Sequence, residues 1–412
     1  MITVRKFILF VWLFPLGCYL IFPFELDFKP NYFYVFIILF SIIIMMTIDK
    51  MFHVRRVFYS PCVTQKDILF FKLMLIISLI SFPLTVYDFL SRGVDFLGSV
   101  GNNRDIYTEH NSGFVSQLAL FFMAFGLLSF FMFPVSGYMY DKYKWKIIFI
   151  LLIMVFFSLI VGNRQIINVI FISIALKSID SFKIRFFSKY LLFFLFIISV
   201  LLSFVLWFQF ERQSFVSGGG EGQVDFLLKI SNMKCVSDVL CGNASIIPLA
   251  YIFQYYGNEY HGITAVIESN ADMPIFSQTL PVLYRRFSDF LMLPSYQQTR
   301  DVINGLIEAK YNMFPRFWRT MYAQIYLDFG WIGFALFNIF ITMAMIINRV
   351  KYFKYGRYVN YVNYHYILFF MVFGIMFFPL IEPIQFFSFI LLIIYNIYSH
   401  VRVGNKKVFS NI

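Results

Sequence analysis

The side chains that could do chemistry in this chain are a handful of guanidinium groups, one histidine and two acids. All of them sit beside or between long apolar runs. Arg164 occupies a short turn, Gly162-Asn163-Arg164-Gln165, between two such runs. An arginine at or near membrane depth is costly and points to function by default. Its planar fork of donors suits phosphate oxygens. Arg285 and Arg286 stand side by side among aromatics in PVLYRRFSDF. Such a pair matches a diphosphate through charge-assisted bidentate bonds, although a solvated pair or an ion pair to Asp289 is the plainer alternative. Arg316 and Arg319 precede an apolar run and suit either a diphosphate or anionic lipid head groups.

His261 follows FQYYGNEY and precedes Gly262. Imidazole titrates near working pH and can serve as a general base, but a lone histidine is more often structural. Asp328 lies in YLDFGWIG, and Glu382 stands between Pro379 and Pro383. An acid at membrane depth needs a partner, so Asp328 is expected to orient a basic group, act as a base or cap a neighbouring helix. Metal chemistry has no signature, because no histidine or second cysteine pair sits at zinc-ligand spacing. The SGGGEG stretch lacks the GK[ST] of a phosphate-binding loop. It reads as a hinge beside a bulky lipid-linked substrate or as an idle loop. Cys235 and Cys241, spaced C-x5-C, would form a local disulfide in an oxidising compartment and stay as two thiols otherwise.

What must position these residues is a set of membrane helices. Of the 412 residues, 60% are hydrophobic and 14% charged, where a soluble domain carries about 25% charged residues. Alternating ten-residue strands are missing, which excludes a barrel. The spacing predicts an all-α, polytopic membrane helix bundle of about ten spans. They lie near residues 7–24, 32–48, 68–90, 113–134, 147–161, 166–176, 191–210, 322–347, 364–380 and 386–397. The first has no small-residue cleavage site after it and reads as an uncleaved span. The organisation is spans one to seven over 1–210, one large outer loop over 211–320, and spans eight to ten over 321–412. Such a long connection is far above the usual length. It is expected to fold as short helices, with Thr299–Lys310 amphipathic through Ile303, Leu306 and Ile307.

The net charge of +12 does not imply nucleic acid. Twenty Lys and Arg fall in the segments that alternate to one side, including Lys177–Lys189, against Lys29, Arg92, Arg104 and Arg164 in the short loops of the other. That asymmetry places both termini in the cytoplasm and the large loop outside. Lys72, one turn inside the third span, is expected to snorkel to the interface. No internal repeat is visible, which argues against many transporter folds.

These residues carry a resemblance to the O-antigen polymerases of the Wzy type, the oligosaccharide repeat unit polymerases. The shared pattern is a many-span layout with one large periplasmic loop late in the chain and an outer turn of the form Gly162-Asn163-Arg164-Gln165. A Tyr- and Gly-containing stretch from Tyr255 to His261-Gly262 belongs to it too. So does Thr320 leading into Asp328-Phe329-Gly330-Trp331-Ile332-Gly333. The turn has Asn163 where such proteins often have serine. The resemblance implies a GT-C-like fold in the bacterial inner membrane, without cofactor. It implies a glycosyltransferase that moves a growing glycan from undecaprenyl diphosphate onto a new lipid-linked repeat unit. Arg164 with Arg285, Arg286 and Arg319 would hold the diphosphate, His261 would be the base and Asp328 would position neighbours. The expected partners are undecaprenyl-diphosphate-linked glycans, the lipid bilayer and a chain-length regulator protein. An O-antigen ligase and a flippase of lipid-linked oligosaccharides are the alternatives.

Overall fold

The computed structural model describes residues 3–400 apart from 162–164, 183–232, 236–249, 312–319 and several shorter stretches. Seven described helical segments are long and apolar enough to cross a membrane, so the chain is a multi-pass membrane protein built on helices. α1 (Val4–Ile21) begins where the Thr3 hydroxyl accepts from the Lys6 amide at 3.4 Å. α2 (Tyr32–Met51) begins on Asn31, whose side-chain oxygen accepts from the Phe33 amide at 3.1 Å. α3 (Gln65–Ser78) opens with a capping box in which Thr64 and Asp67 satisfy each other's amides. After a break at Leu79–Ile80 it runs on as α4 (Ser81–Arg92). The hydroxyls of Ser78, Ser81 and Thr85 bond back to carbonyls within this run, a habit that bends helices. The third expected span is therefore two helices end to end.

α5 (Val100–Glu109) is short and polar. α6 (Phe114–Met132), α7 (Tyr138–Ile160) and α8 (Gln165–Phe182) follow. The described part of the large loop folds as short helices, as expected: α9 (Glu259–Glu268), α10 (Pro281–Phe287) and α11 (Tyr296–Tyr311). α11 buries Thr299, Ile303 and Ile307, but Leu306 is exposed. α12 (Met321–Tyr355), α13 (Tyr358–Phe373), a 3-10 turn over Pro379–Ile381 and α14 (Pro383–His400) complete the bundle. Nine of the ten expected spans fall on helices. The other, 191–210, lies outside the described residues, and neither α8 nor the 16-residue α13 is among the seven candidates.

One element departs from an all-helical reading. β1 (Phe24–Leu26) pairs antiparallel with β2 (Met233–Cys235), Phe24 opposite Cys235. This small sheet stitches the turn after α1 to the large loop. Cys235 is disulfide-bonded, while Cys18 and Cys62 are in no disulfide. The remaining cysteine of the chain, Cys241, lies outside the described residues.

α12 is bent. Gly330 takes φ 61° and ψ −159°, a conformation open essentially only to glycine, costing other residues about 1–3 kcal/mol. Three residues on, a Cβ at Gly333 would lie 2.0 Å from the Phe329 Cβ. The Asp-Phe-Gly-x-x-Gly run thus has a physical reading. One glycine makes the bend and the second lets Phe329 fold back over it. The segment Met321–Phe329 is set apart from the rest of α12 and carries Asp328.

The bundle has a basic end and an opposite end. At the basic end Asp49, near the close of α2, accepts from Arg5 Nε at 2.6 Å and from Arg349 Nε at 2.7 Å. Arg56 donates to the Asp180 carboxylate and to the Tyr352 hydroxyl at 2.9 Å. Asp67 accepts from the Tyr395 hydroxyl at 2.6 Å. Lys177, expected within a solvated basic segment, is instead buried in α8. It donates to the carbonyls of Phe130 and Phe133 at 2.6 and 2.8 Å, at the C-terminal end of α6, where a cation is favoured. Lys72 is exposed on α3.

Candidate functional site

The opposite end is where α9, α10 and α11 cover the bundle. α9 is locked down hard. The Tyr260 hydroxyl donates to the Trp12 carbonyl of α1. Thr264 Oγ1 and Glu268 hold the backbone and side chain of Asn31, at 2.9 and 3.1 Å, where α2 begins. Glu268 also accepts from the Tyr311 hydroxyl of α11 at 2.6 Å. Burial of Tyr260, Ile263 and Val266 against the core makes α9 part of the bundle rather than a loose lid.

Asp328 organises the next stretch. Its carboxylate accepts from the Gln278 and Thr279 amides at 3.0 and 2.7 Å, and from the Ser277 and Thr279 hydroxyls at 3.2 and 2.6 Å. A buried carboxylate is tolerable when donors surround it in this way. The turn it grips leads directly into α10, which starts on Pro281, so Asp328 fixes the helix that carries Arg285 and Arg286. It holds the turn ahead of α10 without capping the helix itself, whose N-cap Leu280 has no side-chain cap bond.

Arg285 and Arg286 are both exposed. The Arg285 guanidinium stacks on the Tyr296 ring of α11 at 4.2 Å from its centroid, and Arg300 lies 5.7 Å from the same ring. Tyr296 thus spaces two guanidiniums without neutralising either. Arg286 donates to the Gln117 side-chain oxygen in the first turn of α6. Glu382 faces this cluster from the turn between α13 and α14. Its carboxylate feels the charge of Arg285 and accepts a hydrogen bond from Gln165, the first residue of α8. Burial pushes that carboxyl above its ordinary range, and the Gln165 bond and Arg285 pull the other way. The site brings together Gln165, Arg285, Arg300 and Glu382 from four separate elements.

Not every expected residue joins it. Arg164 and Arg319, with Arg316, lie outside the described residues. His261, expected in a polar loop, is fully buried in α9, its ring edge-on to Tyr19 at 4.9 Å. Burial lowers its pKa to about 3, against a smaller opposing bond with the Gly257 backbone, so the imidazole is neutral at physiological pH. The structure thus places His261 in the core rather than in a polar loop. Glu259 begins α9 and was not singled out in the sequence. It is buried, its carboxyl oxygens have no hydrogen-bond partner among the described residues, and burial holds it well above the usual carboxylate range. Nothing in residue type or spacing marks Glu259, whereas Glu382 was visible as an acid between two prolines. Among the described residues no cluster of three His, Cys, Asp or Glu could hold a metal ion.

An outward cationic cluster next to a protected carboxylate can bind a phosphorylated ligand and accept a proton beside it. Set against protein-family models, curated proteins and solved structures, the chain matches none of them.

Proposed function

We propose that this protein is a glycosyltransferase of the bacterial inner membrane that polymerises undecaprenyl-diphosphate-linked O-antigen repeat units. On this proposal it has ten spans, cytoplasmic termini and a periplasmic large loop. The observation that carries it is the Arg285–Tyr296–Arg300 stack facing Glu382 at the end away from the basic segments. The disulfide at Cys235 supports the side assigned to the loop, since structural disulfides form in oxidising compartments.

The chemistry follows from the leaving group. The bond from the anomeric carbon to the diphosphate oxygen breaks, and a new bond forms from that carbon to the acceptor hydroxyl oxygen. The hydroxyl proton passes to a base and undecaprenyl diphosphate departs. Negative charge grows on the diphosphate as the bond breaks, so fixed guanidiniums there lower the barrier. Arg285 and Arg300 supply this charge, with Arg286 beside them and Arg164 and Arg319 assigned to the same diphosphate by the resemblance. Glu382 is the better-placed base. His261 is fully buried in α9, and Asp328 is saturated by donors from residues 277–279.

The deciding experiment is extension of a purified lipid-linked repeat unit by this protein alone in proteoliposomes. The expected result is a ladder of longer glycans with release of undecaprenyl diphosphate. No ladder, with single units appearing instead on a lipid A-core acceptor, would assign the ligase. Movement of the intact unit between leaflets without bond formation would assign the flippase.

A further inference from the structure

The segment joining α10 to α11 is built to hold apolar side chains outward. Its turn is closed by the Leu291 amide on the Phe287 carbonyl at 2.9 Å and the Leu293 amide on the Ser288 carbonyl at 2.8 Å. The Tyr284 hydroxyl ties its far side to the Pro294 carbonyl at 2.6 Å. On this frame Phe290 is 82% exposed and Met292 95% exposed, with Phe287 and Leu291 more than half exposed. Met292 also adopts φ 53°, a left-handed conformation that is unusual for a long side chain. A strained turn whose effect is to expose a methionine and a phenylalanine gains nothing in water. It gains if something apolar receives them.

The position of the segment says what that is. α10 is fixed to the ends of two helices long enough to cross a membrane: to α12 through Asp328 and residues 277–279, and to α6 through Arg286 and Gln117. The segment therefore lies level with the ends of the apolar helices. Its charges match an anionic head-group layer, since residues 285–300 hold Arg285, Arg286 and Arg300 against the single acid Asp289. Apolar side chains flanked by cations at that level are the composition of an interfacial membrane anchor.

We infer that the 287–293 turn inserts Phe290, Leu291 and Met292 into the phospholipid leaflet at this end of the protein, and so sets the depth of α10. This inference shares its cations with the glycosyl-transfer proposal, but its geometric basis is the 287–293 turn, which that proposal does not use. The test places a bimane fluorophore at Met292→Cys, in a Cys62→Ser background, in proteoliposomes of phosphatidylglycerol and phosphatidylethanolamine. Gln297→Cys, on the exposed polar face of α11, is the water-facing control. The expected result is blue-shifted emission at position 292, quenched by doxyl-labelled lipid and not by iodide present on both sides, with the opposite pattern at 297. Red emission quenched by iodide at 292 would overturn the inference. So would blue emission insensitive to doxyl lipid, which would mean that protein, such as a second copy of this chain, covers the turn. The readout needs no enzymatic activity, so its failure and failure of the polymerase proposal are separate outcomes.

Discussion

The two ends of the bundle handle charge in opposite ways. At the basic end, charge is consumed. Asp49 gives one carboxylate oxygen to Arg5 and the other to Arg349, Asp180 holds Arg56, and Asp67 is bonded to Thr64 and Tyr395. At the other end only part of the charge is closed in this way, Asp88 pairing with the buried Arg92 and Asp328 held by residues 277–279, and the rest is displayed. Arg285 and Arg286 face out, and Arg300 is kept near Arg285 by one tyrosine ring. Ion pairs closed on themselves fix the arrangement of helices. Cations held in place and left open are prepared for a ligand that arrives later. One end holds the molecule together, and the other is available for chemistry.

If that contrast is right, substitutions at the two ends should fail differently. The largest effect is expected for Asp49→Ala, which strands Arg5 and the buried Arg349. Breaking a buried pair from one side costs about 3–5 kcal/mol. Thermal unfolding of the detergent-solubilised protein should show a marked fall in folded yield, with glycan extension per folded molecule little changed. Arg285→Ala should invert that pattern, with extension down about 100-fold or more and the melting temperature held. Arg285→Lys should recover only part of the loss, because a fork becomes a point charge. Equal activity of the alanine variant and the native protein would remove Arg285 from the site and erase the contrast.

Asp328→Asn should fall between the two classes. The amide keeps one acceptor oxygen but sets an NH2 group against the donors of residues 277–279, so about 1–3 kcal/mol of stability is lost. Activity should drop as α10 loosens, and both readouts should move together. The last effect, of a size similar to that of Asp328→Asn, is a pH dependence from His261. Its pKa falls from 6.5 in the unfolded chain to about 3 when folded. Between those values the unfolded chain binds a proton that the folded chain does not. Stability is therefore full above about pH 6.5 and declines as pH falls toward 3, by at most about 1.4 kcal/mol per pH unit. Melting curves at pH 7 and pH 5 should differ less for His261→Gln than for the native protein, and an identical difference would show that His261 is not the buried group responsible.

Much of this was legible in the chain itself. Apolar run length located the helices, and the skew of Lys and Arg separated the two ends. Arg285-Arg286 announced a cationic pair, whereas the bend at Gly330 in the Asp328–Gly333 run appeared only in the structure. The failures have one physical origin. His261 looked like a loop residue because its neighbours are polar, yet Tyr260 and Ile263 on the same helix are pulled into the core and take the imidazole with them. Lys177 was read as the start of a basic cytoplasmic run, yet it is buried and bonds the Phe130 carbonyl near the end of α6.

The sequence alone determined that this is a multi-pass helical membrane protein with charge skewed to one end, because hydropathy and charge are sums over local residues. Only the tertiary structure decided which polar groups meet. Glu382, Gln165 and Arg285 lie far apart in the chain, and their convergence depends on how α8, α10 and α14 end beside one another. Asp328 was visible as an acid out of place. That it grips the turn ahead of Arg285, rather than touching a ligand, follows from distances that no local pattern encodes.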